Sequence, residues 1–174
     1  MTIRKISLAV FLVLCVLSVV QVVYYYPLLP ERVASHFGPS GQPDAWSTKQ
    51  SFITLYLIVM GFLTLVFLGM GFCMSKIPVS LINMPNKDYW LSPGRRQETF
   101  DFMSHYFLWF ASATLMLMLD MFYQTFQVNL GKANSLSHPV ASLAFYIGFA
   151  ILWSIGLVIR FGNKAKSKKT DTLN

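Results

Sequence analysis

The chain has 174 residues, 55% of them hydrophobic and 12% charged, with a formal net charge of +7. A soluble domain carries about 25% charged residues and could not bury so much apolar surface at this length. The composition therefore excludes a soluble globular domain, and lipid is the solvent. The basic excess does not indicate nucleic acid, because the Lys and Arg residues border apolar runs with no nucleic-acid module around them.

Four apolar runs follow in chain order, at about 6–26, 52–74, 103–126 and 140–161. Each is roughly 20 residues, the length a helix needs to cross about 30 Å of hydrocarbon. Backbone groups in lipid must be satisfied within the segment, so the runs predict helices. Arg4 and Lys5 resemble the start of a signal peptide, but the apolar stretch behind them exceeds a signal core, and YYYPLLP offers no small-residue cleavage site. Cys15 follows Leu14, which does not suit lipoprotein processing either. The first run is read as an uncleaved transmembrane helix.

The loop 27–51 holds HFGPSGQPDAW, the most turn-rich stretch of the chain. Pro27 and Pro30 end the first helix. GPSG and QPD favour turns, so the loop is expected to be a compact cap whose apolar anchors, Phe37 and Trp46, press on helix ends or the headgroup layer. Ser47 or Thr48 is placed to cap the second helix. His36 and Asp44 could orient an imidazole or form half a metal site, but no third ligand has convincing spacing. In the loop 75–102, GRRQETFDFM reads as an amphipathic start to the third helix, with Ser92 as N-cap and Pro93 in the first position. Arg95 and Arg96 would then meet phosphate headgroups.

Eleven Lys and Arg residues flank one side of the four runs: Arg4, Lys5, Lys76, Lys87, Arg95, Arg96, Arg160, Lys164, Lys166, Lys168 and Lys169. Arg32, Lys49 and Lys132 flank the other. The asymmetry places both termini, the loop 75–102 and the basic tail 162–174 in the cytoplasm, and the loop 27–51 outside. Tyr24 to Tyr26 would form an outer aromatic belt, Tyr89 and Trp90 an inner one. The expectation is a single all-α membrane domain over 1–174. It is a bundle of four transmembrane helices in the plasma (inner) membrane of a bacterial-type cell, N-in and C-in.

Residues 29–52, LPERVASHFGPSGQPDAWSTKQSF, resemble the signature of the membrane family known as domain of unknown function 1648. In that family a helix is followed by LP, a spaced H-F and a G-x-P-D-x-W-x-x-K run, then another helix. Pro30, His36, Phe37, Gly41, Pro43, Asp44, Trp46 and Lys49 match. NMPNKDYWLSPGRRQET, at 83–99, is similar to a cytoplasmic loop of some members. The family includes SdpI-like proteins, associated with immunity to a secreted toxin and with membrane signalling. The resemblance implies an interaction protein with a peptide or membrane-protein partner.

Within the apolar runs Asp120 is the one acidic residue, and ionisable groups at such depth mark a site or a pair. It falls about 25 Å along the third helix from Met103, in the outer part. Gln124 and Gln127 follow on the same face. His138, Ser142 and Tyr146 repeat at four-residue spacing on the fourth helix, and Gln21 and Tyr25 on the first. These faces predict an outward-opening polar pocket with the 36–46 loop as its lid. The competing reading is interhelical glue, or Asp120 paired with Arg32 or Lys49. Cys15 and Cys73 lie at different depths and predict no disulfide. Met116 to Met121 reads as helix packing rather than a copper site.

No cofactor or metal is expected, and no zinc-protease, Ser-His-Asp or P-loop pattern is present. Candidate binding residues are His36, Phe37, Asp44, Trp46, Lys49, Asp120, Gln124, His138 and Tyr146. The expected partners are the lipid bilayer and a peptide, lipid or membrane protein, with a homo-oligomer left open. The alternatives are a small transporter subunit or a lipid-modifying enzyme that uses Asp120.

Overall fold

The computed structural model describes residues 2–163. In chain order it runs α1 (Thr2–Tyr25), β1 (Arg32–Phe37), β2 (Pro43–Thr48), α2 (Lys49–Cys73), α3 (Lys87–Trp90), α4 (Arg96–Asn129) and α5 (Pro139–Gly162). Four of its helices are long and apolar enough to cross a membrane. The tail lysines Lys164, Lys166, Lys168 and Lys169 lie outside the described residues. The all-α expectation needs one correction: the fold is mostly helical, but the segment after α1 is a two-stranded antiparallel hairpin. Its Val, Phe, Trp and Thr residues suit a strand, and the intervening GPSG supplies the reversal.

The helix ends follow local chemistry. Past α1, a single 3-10 turn at Tyr26–Leu28 carries Pro27 in its first positions, where a missing N–H costs nothing. Thr48 caps α2, its hydroxyl accepting from the Ser51 N–H at 3.1 Å. Ser92 does not cap α4. Its hydroxyl donates instead to the Tyr89 carbonyl, and α4 begins three residues after Pro93, at Arg96. The chain turns through 91–95 first, so Pro93 sits in that turn and not in the helix. At 34 residues α4 is about 51 Å long, well beyond the apolar run 103–126, with the amphipathic RQETFDF as its first two turns.

α4 is the axis of the bundle. α1 runs alongside it in the same direction, since Gln21 bonds the Leu119 carbonyl near the end of both helices. α2 and α5 run the opposite way. The core of α1, α2 and α4 is built on Phe11, Tyr56, Met60, Leu115 and Phe126. Tyr25 stacks on Phe126 at 4.5 Å, and Tyr56 meets Phe122 edge-on at 4.5 Å. The Tyr56 hydroxyl donates to the Ser18 carbonyl at 2.7 Å and lies 3.1 Å from Gln21 Oε1. These are the satisfied polar contacts that buried hydroxyls and amides require.

α5 is peripheral: Phe161, at its C-terminal end, is its one buried residue. Contacts along its length hold it to the rest. At its C-terminus, Asn86 Nδ2 donates to the Phe161 and Gly162 carbonyls at 2.8 and 3.0 Å, and Trp90 Nε1 to the Phe161 carbonyl at 3.0 Å. These bonds satisfy carbonyls that the helix itself leaves open. Asn86 has a φ of 54°, a conformation Asn tolerates better than most residues. At its middle, Trp153 stacks on Tyr106 at 4.8 Å. Another contact, at its N-terminus, involves Asp120.

Candidate functional site

The hairpin presents four of the predicted residues. Gly41, with φ +76°, closes a turn in which its N–H donates to the Gly38 carbonyl at 2.9 Å, the geometry that favours Pro second and Gly last. Two register shifts interrupt the ladder, one skipping Ser35 and one skipping Asp44. Such bulges re-aim side chains, and here His36 Nδ1 meets Asp44 Oδ1 at 2.5 Å on an exposed surface. Among the described residues no three His, Cys, Asp or Glu converge as a metal site.

Neither Phe37 nor Trp46 is buried against the helix ends. Trp46 is 51% exposed, with the Arg32 guanidinium 5.8 Å from its ring, and Phe37 is half-buried. The residues that seat the hairpin are Leu29, Val33 and Ala34. The physical reason is backbone approach. Ala34 N–H donates to Asn129 Oδ1 at 2.6 Å, and Asn129 Nδ2 donates to the Ala34 carbonyl at 3.0 Å. A bulky side chain at position 34 would hold the strand off this amide clamp. Lys49 also works at the base: its N–H donates to the Glu31 carbonyl, and its ammonium reaches the Leu29 carbonyl at 3.2 Å over the Tyr26 ring.

The second cluster joins α4 to α5. Asp120 Oδ2 accepts from the Ser142 hydroxyl at 2.6 Å and from Gln124 Nε2 at 2.7 Å. Its Oδ1 lies 3.3 Å from His138 Nε2. Gln124, only 1% exposed, accepts the His138 backbone N–H at 3.0 Å. That bond satisfies an N–H at the helix start that no intrahelical carbonyl can reach. The carboxylate also lies at the N-terminal, positive end of α5. Tyr146 bonds Thr114 across the two helices at 2.9 Å.

Beside this cluster a groove of about 500 Å³ opens between α4 and α5. Asp120, His138, Ser142 and Tyr146 form its polar end, and Met116, Leu117, Phe145 and Phe149 are among its apolar walls. Thus Asp120, Gln124, His138 and Tyr146 come together as the four- and eight-residue spacings implied. The pocket differs from expectation in two respects. Gln21 and Gln127 do not join it: Gln127 donates to Tyr25 on α1 at 3.0 Å, and Gln21 to the Leu119 carbonyl. Nor is the hairpin its lid, since no hairpin residue lines the groove. The hairpin meets the site indirectly, where Leu136 N–H donates to the Gly41 carbonyl at 2.8 Å, two residues before His138. Arg32 and Lys49 are engaged elsewhere, so Asp120 is not their ion-pair partner.

Sequence reasoning missed Asn129 and Leu136. Asn129 stands in QTFQVNLGK, which reads as an ordinary helix end, and its partner is 95 residues away. The Leu136 contact is made by backbone and leaves no side-chain signature.

Residues 13–60 match the model of the family described as Domain of unknown function (DUF1648), a span that takes in most of α1, the hairpin and the first half of α2. No curated protein and no solved structure matches the chain.

Proposed function

From the premise that the chain carries a DUF1648 domain over residues 13–60, we propose that it is an interaction or sensor protein of the immunity-like kind, with the hairpin outside the cell. The α4–α5 groove holds a ligand, and the hairpin presents a surface to a partner. One observation carries this reading: a carboxylate clamped by Gln124, Ser142 and His138 forms the polar end of an otherwise apolar groove. Ligand sites share that make-up, apolar walls with a few placed polar groups, and volumes of about 300–1,000 Å³.

The groove and the hairpin are connected by short contacts. A ligand that displaces His138 moves the connection through Leu136, and with it the Gly41 turn. At Gly41 an added Cβ would stand 3.2 Å from the Leu136 carbonyl oxygen, so the two surfaces fit with no spare room. The shift reaches the strands that carry His36, Asp44 and Trp46. In this reading the protein passes groove occupancy to an outer surface and needs no bond-making chemistry.

Native mass spectrometry of gently purified protein tests it. Wild type should retain an adduct that Asp120→Asn loses while keeping its helical content. An identical adduct profile in both would contradict the reading. A second reading rests on the Asp120–His138 contact alone, with Asp120 as the titrating group of a small transporter subunit or a lipid-modifying enzyme. It predicts a pH-dependent activity that Asp120→Asn abolishes, and a pH dependence unchanged in that variant excludes it.

A further inference from the structure

We infer that the α4–α5 groove takes a bilayer lipid with a primary ammonium headgroup, its cation on Asp120 and its chain along Met116, Leu117, Phe145 and Phe149. The inference rests on the groove being a ligand site and names the chemistry of its occupant.

Charge comes first. Among the described residues no Lys or Arg pairs with Asp120; its partners are Ser142, Gln124 and His138. An ionised carboxylate bordering hydrocarbon is costly without a cation. Its two oxygens are unequally served. Oδ2 holds two short hydrogen bonds, whereas Oδ1 has only His138 at 3.3 Å. A carboxylate oxygen accepts about two bonds, so Oδ1 has capacity for a donor from the groove. The Asp120 side chain is 32% exposed, so a ligand can reach it.

Shape and depth agree. α5 has 24 residues, about 36 Å, slightly more than the hydrocarbon thickness. Ser142 lies in its first turns, so a group bonded to Ser142 sits near the bilayer boundary. From there the groove follows α4 back to Ala113, seven residues or about 10 Å toward the middle. The polar end is at headgroup level and the apolar end at chain level. Phe145 is 82% exposed on peripheral α5, and no hairpin residue closes the groove. Entry is therefore sideways from lipid, which favours a bilayer component over a soluble cationic peptide.

The headgroup chemistry discriminates. An ethanolamine ammonium brings a charge and N–H donors to Oδ1. A choline brings the charge without a donor, and a glycerol headgroup brings donors without a cation. A charge-assisted hydrogen bond of this kind corresponds to about tenfold or more in affinity.

The test is native mass spectrometry of the full chain in mixed micelles with phosphatidylethanolamine, phosphatidylcholine or phosphatidylglycerol of identical chains. Wild type should retain the ethanolamine lipid about tenfold over the other two. Asp120→Asn should lose that preference, and Phe145→Ala should weaken all three while keeping the order. With wild type alone, dodecylammonium should displace the ethanolamine lipid and dodecanol should not, which keeps the inference testable if Asp120→Asn fails to fold. Equal retention of the three lipids by wild type overturns it, as does a preference that survives in Asp120→Asn. A retained peptide or other non-lipid mass overturns the lipid assignment and leaves the groove a ligand site. A wild type that binds nothing, with dodecylammonium and dodecanol alike without effect, overturns both.

Discussion

At the scale of single residues, the decisive groups are amides and one carboxylate that satisfy backbone or each other across helices. Asn129 is the clearest case, since one side chain pairs with both backbone groups of Ala34. Asn129→Ala leaves that N–H and carbonyl without their partner, at a cost of about 1–3 kcal/mol if they stay dry. The expected result is faster hydrogen exchange across 32–48 with little change in α1 or α4, read by exchange mass spectrometry. Unchanged exchange in the hairpin would mean that Leu29, Val33 and Lys49 seat it unaided. Asp120 was legible at this scale because an acid within an apolar run is conspicuous, and its i+4 neighbour Gln124 followed from helix periodicity. Its partners on α5 were legible as a spacing. Asn129 was not, because a polar residue at a helix end is commonplace and its partner is remote in sequence.

At the scale of elements, hydrophobic length alone located the four long helices. It located their ends less well. α4 extends seven residues before the apolar run at 103–126, since RQETFDF is amphipathic rather than apolar, as read from GRRQETFDFM, but it begins at Arg96 and not at Pro93. The hairpin escaped notice for a related reason: six-residue strands interrupted by two bulges give no clean alternation. Its turn was readable from GPSG, its strands were not. The contact between α4 and α5 depends on a small residue. A Cβ at Gly156 would stand 2.4 Å from the Tyr106 hydroxyl, whose ring is held between Phe102 and Trp153. Gly156→Val should therefore displace Tyr106 and break its bond to the Trp153 carbonyl, costing about 1–3 kcal/mol. A thermal melt followed by tryptophan fluorescence would read the loss. An unaltered melt would show that Tyr106 moves aside freely.

At the scale of the whole molecule, α1, α2 and α4 form a packed unit with the hairpin at one end, and α5 is attached to it chiefly through α4, Asn86 and Trp90. That arrangement leaves a groove along the α4–α5 seam; the polar spacings on the two helices pointed to its polar end, but its apolar length depends on how far α5 stands from its neighbours, which no pattern in the sequence specifies. Sidedness is a separate expectation, drawn from the Lys and Arg asymmetry. With Cys73 replaced by Ala, Ser40→Cys should react with an impermeant thiol reagent in intact cells and Ser80→Cys should react only after lysis. The reverse pattern would put the hairpin in the cytoplasm. The central claim is that the groove selects its occupant. The most direct measurement is photocrosslinking in native membranes from a benzophenone residue placed at Phe145 in the groove or at Leu152, which is 71% exposed farther along α5. The account predicts one dominant adduct class from position 145, lost in Asp120→Asn, and a broad sample of bilayer lipids from position 152. The same broad sample from both positions, indifferent to Asp120, would contradict it.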